Sequence, residues 1–380
     1  MERRIARSTV SFQQHDISFG WLLSTFADDG QSMPCVMGLL TARSGIVSPG
    51  VGTYSTSVNR LAERRRRLRP SQMMNVLYLL SDDMRASIGS YGVPSLHTPN
   101  LDRLASSSLL FQHAYCQISV CSPSRQSFMT GLRPDNHKVF NFIDSNPVDT
   151  QAIPGHFRDH GYLTLGLGKT FHEQQGSWNA DRYFNTTGRA GRPYYQYKAN
   201  ECPIGNEGGG QCISPDEEIY DYHLRTETIE YLQHAAEWSR EENGKPFFLM
   251  AGFRDPHAPW AAPKRMYDLY DEDSIDLPPT GSKTLGEDTP LIAWSAQLNV
   301  CLANGTSFPY SYDKPVSDAV IRNQRRAYYS SVSYVDEHIG AILDTLDAEG
   351  LTNFLSRRKA WIYIYTDIYW ETSRDKHLVL

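Results

Sequence analysis

The run Val120-Cys121-Ser122-Pro123-Ser124-Arg125 puts a thiol, a proline and a cation close together. A helix starting at Pro-Ser-Arg leaves unsatisfied backbone N–H groups beside Cys121, where the helix dipole favours an anion. Arg125, one turn later, adds a fixed cation, and the pair suits an oxyanion substrate. A thiolate nucleophile is the simplest chemistry for Cys121. However, three residues separate it from Arg125, against the five of a phosphate-binding thiolate loop, and no base stands nearby. A buried structural thiol is the bland alternative. Other groups able to do chemistry are the carboxylates Asp82, Asp83 and Asp367, the cation Lys169, and the imidazoles His172 and His257.

These groups share a setting. Asn75–Leu80 is a short apolar run rich in strand formers that ends at Ser81-Asp82-Asp83. Leu163–Gly168 ends at Lys169, with His172 three residues on; Pro246–Phe253 ends at Arg254-Asp255-Pro256-His257; Trp361–Thr366 ends at Asp367. Helical spacing follows Pro99-Asn100 through Leu101, Leu104, Leu109 and Leu110. It recurs from Tyr328 through Val332, Val335, Ile339, Ile342, Leu343 and Leu346 to a stop at Gly350. Strands alternating with helices predict an α/β fold. The C-terminal edge of its sheet, where doubly wound folds bind ligands, would collect Asp82, Asp83, Lys169, His172, His257 and Asp367. Segments near 176–215 and 271–317 are rich in Pro, Gly, Asn and Tyr and read as long excursions.

The chain has 380 residues, 40% apolar and 21% charged, which excludes collagen, coiled coil and wholesale disorder. A net charge of −6 argues against a general nucleic-acid binder. Residues 1–72 carry +5 and the remainder −11, so the N-terminal stretch, with Arg64-Arg65-Arg66-Arg67, is compositionally foreign. It reads as a disordered basic extension without the apolar core of a signal peptide. No apolar run approaches the roughly 20 residues of a transmembrane helix. Cys35, Cys116, Cys121, Cys202, Cys212 and Cys301 include no C-x-x-C pair. Cys202 and Cys212 flank a Gly-rich loop that either a disulfide closes or two separate thiols flank. Asn185 and Asn304 begin glycosylation sequons.

The C-S-P-S-R run followed by Thr130-Gly131 resembles the signature of the sulfatases. Asn75–Arg85 resembles that family's first strand with its paired metal-binding aspartates. Gly168-Lys169-Thr170-Phe171-His172 resembles its G-K-x-F-H element, and Pro246–Leu249 with Asp255-Pro256-His257-Ala258-Pro259 a later substrate-binding strand. Ser90-Tyr91-Gly92, Thr98–Asp102 and Ser330–Asp336 extend the likeness.

The resemblance implies a mostly parallel central sheet flanked by helices on both faces, an alkaline-phosphatase-like fold. It implies sulfate-ester hydrolysis on iduronate-containing glycosaminoglycan, with Cys121 converted to formylglycine by a formylglycine-generating enzyme. Calcium would be held by Asp82, Asp83, residue 121 and Asp367. Arg125 and Lys169 would bind the sulfate, His172 would act as base, and His257 would protonate the leaving oxygen. A Cys202–Cys212 disulfide, a lysosomal location and a glycoprotein are also implied.

The pattern departs at the C-terminus. Where the family reads S-D-H-G, this chain has Thr366-Asp367-Ile368-Tyr369, and isoleucine cannot coordinate calcium. The resemblance therefore divides the chain into 1–72, a catalytic domain over 73–367 lacking its final part, and an aberrant tail over 368–380. A natural start near Met73 would reconcile the leader with a secreted enzyme. A catalytically impaired fragment that binds sulfated sugar is the alternative reading. A phosphate-ester hydrolase is disfavoured, because related phosphatases place Ser or Thr at the nucleophile.

Overall fold

The computed structural model describes residues 73–86, 88–111, 114–141, 150–172, 184–187, 210–213, 216–241, 244–258, 260–278, 317–352 and 360–366. The leader 1–72, the tail 368–380, Asp367, Cys202 and Asn304 lie outside these residues.

Strands β1 (Asn75–Ser81), β2 (Leu163–Gly168), β3 (Thr186–Thr187), β5 (Phe247–Phe253) and β7 (Ala360–Thr366) form one parallel sheet in the order β3-β2-β5-β1-β7. Two shorter strands, β4 (Gly210–Cys212) and β6 (Trp260–Ala262), pair apart from it, and the short helices α3 (Pro134–His137), α4 (Ile153–Asp159) and α6 (Lys264–Tyr267) lie between the larger elements in sequence. Parallel strands are covered on both faces, which explains why they read as unbroken apolar runs. Leu77, Leu79, Leu165, Leu167, Leu249 and Phe253 pack on one face, against helices α5 (Tyr220–Arg240) and α7 (Asp318–Ala348). Val76, Leu80, Phe248 and Met250 pack on the other, where Met129 of helix α2 (Cys121–Thr130) meets them.

The register fixes the functional edge. Ser81 pairs with Phe253 and Thr366, and Gly168 pairs with Gly252, so all four strands end at one level. Among the described residues the chain then enters the loops that begin at Asp82, Lys169 and Arg254.

Helix α1 (Pro99–Ser106) stops short of the predicted Leu109 and Leu110, and Leu109 is exposed. The Ser106 and Ser107 hydroxyls donate back to the Arg103 and Leu104 carbonyls, a local bonding that competes with helix continuation. At the other end, Asp336 of α7 accepts from the Asn100 and Leu101 N–H groups at 3.1 and 2.7 Å and so caps α1 across the fold. No helix among the described residues is long and apolar enough to cross a membrane.

Candidate active site

Asp82 is the first residue past β1 and is fully buried. Its Oδ1 accepts from Arg125 Nη2 at 3.0 Å, and its Oδ2 accepts from Lys169 Nζ. Burial by itself would raise this carboxyl; the Lys169 and Arg125 charges outweigh it and hold Asp82 well below the usual carboxylate range. Asp82, Arg125 and Lys169 are 0, 1 and 2% exposed, so the trio is a desolvated charge cluster at the sheet edge.

Each partner arrives by a separate local device. Lys169 sits on a tight turn at Gly168, whose φ is +64°, and its N–H donates to Gly252 O at 2.8 Å. A Cβ on Gly252 would lie 2.1 Å from Lys169 O, so only glycine permits this approach of the turn to β5. Arg125 Nη1 donates to the carbonyls of Lys169 and Thr170, which locks its guanidinium against the same turn.

Cys121 is the first residue of α2, after an extended Val120, and is buried. Its Sγ stands 3.6 Å from Asp83 Oδ1. Burial, reinforced by Asp82 and Asp83, pushes the thiol far above its ordinary value despite Lys169 and Arg125. Cys121 is therefore held as a thiol, and a thiolate nucleophile finds no support here.

Asp83 adopts a left-handed φ of 57°. Tyr328 of α7 holds this turn: its hydroxyl accepts from Arg85 N–H at 2.6 Å and donates to Asp83 O at 3.2 Å. Asp83 Oδ2 lies 3.7 Å from His257 Nε2. His257 Nδ1 is 2.6 Å from Ala258 O, and because a carbonyl only accepts, Nδ1 carries the ring hydrogen. Burial, with Lys169 and Arg254, lowers His257 to about 4 despite the opposing effect of Asp82. His172 falls to about 4 as well, through burial and the Lys169 and Arg125 charges.

The loop bearing His257 is clamped from beneath. Asp221 of α5 accepts from the backbone N–H groups of Arg254 and Asp255 at 3.0 and 2.8 Å, while Ser81 Oγ donates to Asp255 O at 2.8 Å. Arg254 Nη2 reaches Ala258 O at 3.0 Å. Burial raises Asp221 to about 6, against the N–H bonds that favour its charge.

The structure thus brings Asp82, Asp83, Cys121, Arg125, Lys169, His172 and His257 to one edge. Asp82, Cys121 and His257 offer ligand atoms within 4.8 Å of one another. Cys212 is disulfide-bonded, and its expected partner Cys202 lies outside the described residues. Asn185 is exposed, with Oδ1 accepting from Thr164 N–H at 2.9 Å. Tyr328, Asp221 and Arg254 were not identifiable from sequence as site-building residues. The charged pair in the apolar-run ending of β5 was the sole local signal, and it named Arg254 and Asp255 without a role.

The Sulfatase family profile matches residues 74–355. Iduronate 2-sulfatase of Homo sapiens is 32% identical over 305 residues, covering 74% of this chain and 52% of that protein. The Mus musculus counterpart is 31% identical over 298 residues, covering 72% and 51%. This chain spans about half the length of those curated relatives. Among solved structures, the phosphonate monoester hydrolase of Silicibacter pomeroyi superposes with a TM-score of 0.57 at 19% identity, covering 81% of this chain and 66% of that one. The Agrobacterium radiobacter phosphonate monoester hydrolase gives 0.56 at 18% identity, covering 81% and 67%. These structural likenesses establish the fold.

Proposed function

Because this chain belongs to the sulfatase family, we propose that its sheet-edge cluster serves hydrolysis of the 2-O-sulfate of iduronate in heparan or dermatan sulfate. The observation that carries the reading is Cys121 at a helix N-terminus, with its Sγ within 4.8 Å of a carboxylate oxygen of Asp82 in the buried Asp82–Arg125–Lys169 cluster.

Residue 121, once converted to formylglycine, supplies a hydrated aldehyde as nucleophile. The raised thiol supports this, since an unconverted Cys121 is poorly ionised. The donors also fit a hard divalent cation. Asp82 and Asp83 are consecutive carboxylates at the end of β1, and Asp83 faces Cys121. Calcium held by Asp82, Asp83 and Asp367 would supply charge for developing sulfate negativity.

The chain's own residues do the rest. The α2 N-terminus and Lys169 set a positive field where the sulfate docks, and Arg125 fixes Asp82 beneath it. His172, neutral above about pH 4, takes a proton at an unprotonated ring nitrogen. His257 gains a proton at Nε2, where Asp83 at 3.7 Å stabilises it, and hands it to the departing sugar oxygen. By the same likeness to iduronate 2-sulfatase, the proposed location is the lysosome.

The test is sulfate release from an iduronate 2-O-sulfated disaccharide, compared with 6-O-sulfated glucosamine and an aryl sulfate. The reading expects the first to be preferred, with Cys121→Ser reducing release to background. Binding of the disaccharide with no release by the converted chain would instead leave a sulfated-sugar binder.

A further inference from the structure

The N-terminal edge of the sheet, opposite the edge that gathers Asp82, Cys121 and Lys169, carries a separate pair of metal-ligating side chains. His156 lies in helix α4 and His160 at its C-cap, four residues on and three before β2 begins. Strand β2 then runs six residues to Gly168, so about 20 Å of strand separates the pair from the Lys169 turn. Residues four apart on a helix share a face, and the two exposed imidazoles stand with ring centres 4.2 Å apart. With metal–nitrogen bonds of about 2.0–2.1 Å and angles of about 90–110° at the metal, two ligating rings lie with their centres about 4.5–5.2 Å apart. A small side-chain rotation closes that difference.

The backbone under the pair is held in place. Phe157, next to His156 in sequence, stacks on Phe248 of β5 at 4.5 Å and meets Tyr162 edge-on at 4.9 Å. Gly161, at φ +91°, closes the helix, and Tyr162 N–H donates to Phe157 O at 3.1 Å. His160 Nδ1 is 2.8 Å from His156 O, and because a carbonyl only accepts, Nδ1 carries the hydrogen and the neutral ring presents its lone pair at Nε2. The His156 ring has no hydrogen-bond partner among the described residues. Partial burial and the neighbouring His160 lower His156 below its ordinary value, which favours the unprotonated, ligating ring. Asp159 has its Oδ2 committed to Gln151 Nε2 at 2.6 Å, so the two imidazoles are the protein's ligands.

We propose that His156 and His160 form a bidentate chelate for an imidazole-preferring divalent cation, Cu2+, Ni2+ or Zn2+, with water in the remaining positions. Two neutral ring nitrogens select these ions over Ca2+ and Mg2+, which take oxygen ligands. The run His156-Phe157-Arg158-Asp159-His160 has the i, i+4 histidines of the helical zinc motif, but Phe157 stands where that motif has its general-base glutamate, so the site binds a metal without hydrolytic chemistry. The spacing of the rings belongs to the folded helix, so the cation favours the folded chain and clips α4 to the turn that leads into β2.

The experiment uses the full chain with Ni2+ alone and reads the modification of histidines by diethyl pyrocarbonate at neutral pH through peptide mass. Trypsin separates the two ligands, His156 falling in peptide 139–158 and His160 in 159–169, so metal taken up elsewhere in the chain does not enter the reading. At free Ni2+ of about ten times Kd, modification of both is expected to slow about tenfold, while His234, exposed on α5 with no histidine one turn away, is unchanged. Cu2+ and Zn2+ should protect likewise and Ca2+ should not, and His160→Asn should remove the protection of His156. Equal modification with and without Ni2+, protection of only one of the two rings, protection of His156 that survives His160→Asn, or a Kd weaker than ~1 mM each overturns the proposal. Protection in the parent chain needs no variant, so a misfolded substitution leaves the test decisive. Sulfate release is measured separately, so either this site or the proposed activity can fail alone.

Discussion

Lys169→Met isolates the charge cluster on which the site is built. The substitution keeps the length and apolar stem of the side chain and removes the ammonium bonded to Asp82 Oδ2, leaving Arg125 at 3.0 Å as the remaining partner. Removing one member of a buried ion pair costs about 3–5 kcal/mol when the other charge is orphaned. Because Arg125 stays, the low end applies, and about 3 kcal/mol is roughly a 150-fold fall in the folding equilibrium. For a domain of this size that lowers Tm by roughly 6–12 °C. The sign of the pH dependence follows from the depressed Asp82 carboxyl. Its contribution is fully present above the unfolded value of about 3.9 and is lost as pH falls through the lower folded one. The gap between parent and variant is therefore widest at neutral pH and narrows below about pH 4. Urea unfolding at pH 7 and pH 3.5 measures both. A variant as stable as the parent at pH 7, or a gap that widens on acidification, refutes the assignment.

Tyr328→Phe should cost about 1–3 kcal/mol by stripping the buried partner from Arg85 N–H and Asp83 O, with faster amide exchange at Arg85; unchanged exchange there would contradict the role of Tyr328. His338 lies fully buried in α7 beside Phe253 and Tyr334, with neither ring nitrogen hydrogen-bonded among the described residues, and burial holds it well below its ordinary value. Below about pH 6.5 the unfolded ring gains a proton that the folded one does not, so stability should fall by about 1.4 kcal/mol per pH unit. His338→Leu should remove that slope, and parallel pH curves for parent and variant would count against it. In kcat/KM against pH, activity should decline above about pH 4–5 as His257 loses its proton, and His257→Gln should lower the rate and flatten that limb. An alkaline optimum is the contrary result.

How much of this was legible in the sequence follows from how each feature is encoded. The sheet was legible because strands covered on both faces must be continuously apolar, and the polar residue ending each run marks the functional edge. Asp82, Lys169 and His257 were found that way, and Cys121 with Arg125 from helix-start chemistry. Tyr328 was hidden because its partners, Asp83 and Arg85, are 245 and 243 residues away, a contact that local spacing does not carry. Asp221 was hidden likewise, reading as an ordinary first-turn acid of α5 while clamping the loop of His257. The early stop of α1 was missed because leucine spacing continued where serine hydroxyls had taken over the carbonyls.

The central claim is most directly tested by the mass and carbonyl reactivity of the tryptic peptide 104–125, after coexpression with a formylglycine-generating enzyme. The peptide contains both Cys116 and Cys121. The account predicts a hydrazide-reactive aldehyde at position 121 and an intact thiol at 116, in a preparation that releases sulfate. An unmodified thiol at 121 in a preparation that releases sulfate would contradict it.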